Sequence, residues 1–215
     1  MATGDRSVMP GLRRLALEAA KGQSAVGSWG HGFAIPDGRL GGYGMMNAPG
    51  LPLTISLVLA REAGVKDPEV SNAIERSARL LRFYIGKGAI PYGDYHPWIE
   101  THEDNGKCGM AAVLFNLLGE ANGAEFFSRM SIAAHGPERD GGHTGNYFNI
   151  LWALPGVAQS GPHATGAGTT RIETSLMTNS SQISSWSVSK IGRRWFVNAP
   201  RWRWLAAAKC QFRLY

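Results

Sequence analysis

With 215 residues, 44% of them hydrophobic and 18% charged, the chain carries enough apolar surface for one sizeable core, which excludes wholesale disorder. The formal charge of +6 sits at one end: residues 1–167 hold 14 Lys and Arg against 15 Asp and Glu, and residues 168–215 hold 8 against 1. A phosphate-binding patch belongs on the folded body or along one helix face, so this placement argues against a nucleic-acid partner.

In chain order, residues 10–21 place Leu12, Leu15, Ala16 and Ala19 at helical spacing, with Arg13, Arg14, Glu18 and Lys21 elsewhere. Residues 51–63 form a different helix, apolar on nearly every side and closing on Gly64. Asp67 offers an N-cap with Pro68 at the first helical position, opening a one-sided helix over 67–85 that carries Val70, Ile74, Leu81 and Ile85 on one face. Residues 106–119 are again apolar all round, with Cys108 reading as a buried thiol. A third one-sided helix covers 122–134, and a third apolar one covers 145–154, ended by Pro155-Gly156. A helix apolar on all sides is buried on all sides. The alternation therefore predicts an all-α fold, a partial α/α toroid of about three helical hairpins with outer and inner helices, whose outer starts recur roughly every 56 residues. Leu57, Val58, Val113, Leu114, Phe115, Ile150 and Leu151 are its expected core.

The first 167 residues read as this toroid-like domain. Residues 168–215 lose helical periodicity, hold four of the seven tryptophans and read as a divergent basic tail. Two cysteines give no disulfide framework, no apolar leader opens the chain, and no stretch approaches the ~20 apolar residues of a membrane span. A soluble chain of unassigned compartment is expected.

Gln23, Gly27 and Trp29 spell Gln-x-x-x-Gly-x-Trp, which resembles the repeat signature of the terpenoid cyclase and protein prenyltransferase toroids. There the Gln and Trp tie an outer helix to the next loop. The runs GSWGHG, GGYG, KGAIPYGDYHPW, DNGK and GHTGNYF resemble, over about 23–167, a bacterial domain family of unknown function assigned to that superfamily. The resemblance implies a ring of five to seven hairpins. This chain supplies three, so it reads as a fragment of a larger ring or as a chain that self-associates through open ring edges. The Asp-x-Asp-Asp motif of the cyclases is missing, Glu103-Asp104-Asn105 being the nearest run, and the prenyltransferase zinc set has no counterpart.

Candidate chemistry concentrates in the segments leading into the apolar helices. Trp29, His31, Tyr43 and Asn47 precede the first; Tyr92, Asp94, His96, Glu100, His102, Asp104, Asn105 and Lys107 precede the second; His143, Asn146 and Tyr147 precede the third. Parallel inner helices would open all three loops, and three helix N-termini, on one end of the array. Asp104, His102, His143, Glu100 and Tyr92 are the candidates for acid/base chemistry. The other ten are candidates for ligand contact. His96, His102 and Asp104 also suit a divalent metal, joined by His31 or His143, although His-x5-His is not a zinc signature. Against this stand blander roles: Asp104 and Asn105 as helix caps, Lys107 in solvent, His143-Thr144 in a tight turn, and Trp29 as a structural anchor. Aromatic and carboxylate side chains around one mouth suit a glycan or other small-molecule ligand. The readings that follow are an enzyme acting on carbohydrate, a non-catalytic binding or scaffold module, and isoprenoid chemistry.

Overall fold

A computed structural model describes residues 4–94, 105–133 and 147–160. The chain divides into Met1–Gly168 and Thr169–Tyr215, and the second unit lies wholly outside the described residues. The fold is all-α. Among the described residues it comprises α1 (Met9–Lys21), α2 (Asn47–Ala63), α3 (Pro68–Arg82), α4 (Asn105–Leu117), α5 (Ala121–Ala133) and α6 (Tyr147–Val157), followed by a 3-10 turn over Ala158–Ser160. Extended pairing among these residues includes an antiparallel bridge between Trp29 and Met46.

The alternation of helix character maps onto packing. α1 buries only Ala16 and Ala20, while α3 buries a stripe at helical spacing from Val70 to Leu81 and leaves its charged face in solvent. Glu69 in the first turn of α3 and Arg79 and Arg82 in the last turn complement the helix dipole. α4 is the most enclosed helix: every residue from Gly106 to Ala112 is buried, as are Leu114 and Phe115. It packs against α2, α5 and α6, while α2 also packs against α1 and α3. Leu57, Val58, Leu114 and Phe115 are in the core as expected, and Cys108 is buried as expected. Val113 is half-buried, and the side chain of Ile150 lies outside the described residues.

Several expectations are corrected. Leu151 is 61% exposed rather than buried, because α6 turns its small residues, Ala153 and Gly156, onto α4 instead. α2 is also open on one strip, where Ser56 and Leu59 face solvent. Its start is Asn47, four residues before the expected start at position 51; Pro49 falls in the first turn, where a missing N–H has no intrahelical partner. Pro155 does not end α6, which runs on to Val157. There the approach to α4 prevails over the local breaker: a Cβ on Gly109 would overlap the Trp152 carbonyl oxygen, and one on Gly156 would overlap the Gly109 backbone. Asp67 has the extended backbone of an N-cap but makes no side-chain cap bond. Its carboxylate instead accepts Arg13 Nε at 2.9 Å and Nη2 at 2.5 Å, which ties α1 to the start of α3 and holds Asp67 below its ordinary pKa.

Candidate functional site

The segment leaving α1 is held by buried polar side chains. Gln23 Nε2 donates to the Ala73 carbonyl (2.9 Å), the Ser77 hydroxyl (2.8 Å) and the Gly27 carbonyl (3.2 Å), and Gln23 Oε1 accepts Arg76 Nε at 2.7 Å. Ser77 Oγ donates to the same Gly27 carbonyl at 2.7 Å. Gly27 has φ +97°, and a Cβ there would lie 2.5 Å from the Arg76 carbonyl oxygen, so both conformation and space call for glycine. Trp29 has no exposed surface, and its indole N–H donates to the Ala19 carbonyl of α1 at 2.9 Å. Its ring and its polar atom both serve the fold, so Trp29 is corrected from ligand contact to anchor.

From Trp29 the chain makes a closed loop that returns to α2. Ile35-Pro36-Asp37-Gly38 is a tight turn, with Gly38 N–H bonded to the Ile35 carbonyl at 2.8 Å and Gly38 at φ +82°. Ala34 N–H reaches the Gly22 carbonyl at 2.8 Å, and Met46 N–H reaches the Trp29 carbonyl at 2.9 Å. His31 and Tyr43 meet edge to face, ring centroids 5.5 Å apart, and Tyr43 is 80% exposed.

Asn47 then joins the first lead-in loop to the second. Its side chain is 1% exposed; Nδ2 donates to the carbonyls of Pro91 (2.9 Å) and Gly93 (3.1 Å), and its backbone N–H donates to the Tyr92 carbonyl (2.8 Å). Asn47 is thereby a clamp rather than a ligand contact. Tyr92 donates its hydroxyl to Met46 Sδ at 3.2 Å, and Asp94 is exposed beside this junction. Burial pushes the Tyr84 phenol above its ordinary pKa; the hydrogen bond with Asn47 opposes that shift, and the Asp94 charge adds to it.

Of the candidate residues, the structure thus gathers Asn47, Tyr92 and Asp94 at the N-terminal end of α2 and pairs His31 with Tyr43 on the loop that leads there. Lys107 is 5% exposed within α4, not in solvent. Asn105 and Tyr147 open α4 and α6, with side chains outside the described residues. His96, Glu100, His102, Asp104, His143 and Asn146 lie outside the described residues altogether, and with them the expected acid/base pair and the metal set. Among the described residues no three His, Cys, Asp or Glu side chains stand close enough to hold a metal ion, and no helix is long and apolar enough to cross a membrane. Sequence reading passed over Ser77 and Tyr84. Ser77 stands on the stripe between Ile74 and Leu81, and a hydroxyl on an apolar stripe is the signal that marks a buried polar partner.

The described residues form an all-α protein in which the loop between α1 and α2 and the segment that follows α3 are joined at the head of α2. The chain belongs to the family described as a domain of unknown function (DUF6288), whose model matches residues 1–180 and so extends past Ala167. No curated protein and no solved structure matches it.

Proposed function

We propose that the chain is part of an α/α toroid, related to the terpenoid cyclase and prenyltransferase rings, with a loop-built site at the N-terminal ends of α2, α4 and α6 that acts on carbohydrate. The observation that carries the reading is the Asn47 clamp. It draws the segment entering the second inner helix onto the head of the first, as a shared mouth requires. The Gln23–Gly27–Trp29 staple supports the toroid, since it ties the exit of one outer helix to the next outer helix. Asp94 opens, in sequence, the acidic, histidine-rich run that precedes α4, and the proposed site carries its acid and base on Glu100, His102 and Asp104 of that run with His143 from the third loop. A divalent metal on His96, His102 and Asp104 belongs to the same proposal.

The test is a thermal-shift screen of the parent chain, Asp104→Ala and His143→Ala against a panel of mono- and oligosaccharides, with metal analysis of the purified protein. The expected outcome is stabilisation of the parent by at least one sugar and loss of that shift in both variants, whose unliganded melting stays unchanged. Sugar stabilisation that survives both substitutions would contradict the placement of the site. A panel without any stabilising sugar would contradict the carbohydrate reading.

A further inference from the structure

We draw no further inference here: the strongest candidate, the exposed apolar side chains of Phe33, Ile35 and Tyr43 on the loop between α1 and α2, carries none because nothing in the structure shows what covers them.

Discussion

The two ends of the described fold are held by different physics. Around α1 and α3 the joints are polar and specific: Gln23 satisfies four partners, Ser28 and Asn47 fix loop backbone, and Arg13 pairs with Asp67. Around α4, α5 and α6 the joints are apolar and close. Gly109 and Gly156 bring two helix backbones together, and Phe115 stacks on Phe127 with ring centroids 5.6 Å apart and planes 17° from parallel. At the junction of these regions, Arg82 at the end of α3 donates to Glu120 just before α5 (2.7 and 2.9 Å) and to Glu75 (2.8 Å). The contrast separates two jobs. Loops that must hold a fixed shape are pinned by hydrogen bonds, whose geometry is directional, while helices that need only be close are held by area and fit.

The largest effect is expected in the apolar region. Leu114→Ala removes a side chain with no exposed surface from the most enclosed helix and should cost about 2–5 kcal/mol in denaturant unfolding. A loss under about 1 kcal/mol would mean that α4 is not the packing centre. Gln23→Ala should cost less, about 1–3 kcal/mol, because it strips partners from the Ala73 carbonyl and the Arg76 guanidinium without opening an apolar cavity. Its signature is local: amide exchange should rise through residues 22–46 and stay unchanged in α4. Uniform exchange would erase the distinction between the two regions.

The smallest effect is with pH. Hydrogen bonds from Arg13 and Arg82 hold the carboxylates of Asp67 and Glu75 below their ordinary pKa values. Folded values below unfolded ones mean that the contribution is complete above the unfolded pKa and fades as pH falls through the folded pKa. Acidification below the ordinary carboxylate range should therefore loosen the α1–α3 contact first, read as faster exchange there than in α4 and α5 after correction for intrinsic rates.

Much of this contrast was legible in the sequence, and unevenly so. One-sided and all-round apolar patterns marked the six helices among the described residues, since 3.6-residue periodicity is a local property. The Gln23, Gly27 and Trp29 spacing pointed to a staple only through its resemblance to the toroid repeat signature, in which the Gln and Trp tie a helix to the next loop. The Gly109–Gly156 crossing was not legible: glycines inside apolar helices read as weak helix formers, and only the partner helix shows that a Cβ would collide. The exposure of Leu151 was lost for the same reason, because an apolar helix does not say which face its small residues turn inward. At the site, Asn47 read as a ligand contact, since a side-chain amide that clamps a loop 44 residues away looks no different in sequence from one awaiting a ligand.

The central claim is a single mouth at the N-terminal ends of the inner helices, and paramagnetic broadening tests it most directly. A nitroxide on Tyr43→Cys, in a chain with Cys210 replaced by Ser and Cys108 buried out of reach, reports on its surroundings through the histidine ring signals. The account predicts strong broadening of His31 and of His102 and His143 from the second and third loops, with His163, beyond the C-terminal end of α6, left sharp. A sharp His143 beside a broadened His31 would contradict it, because the third loop would then open away from the first.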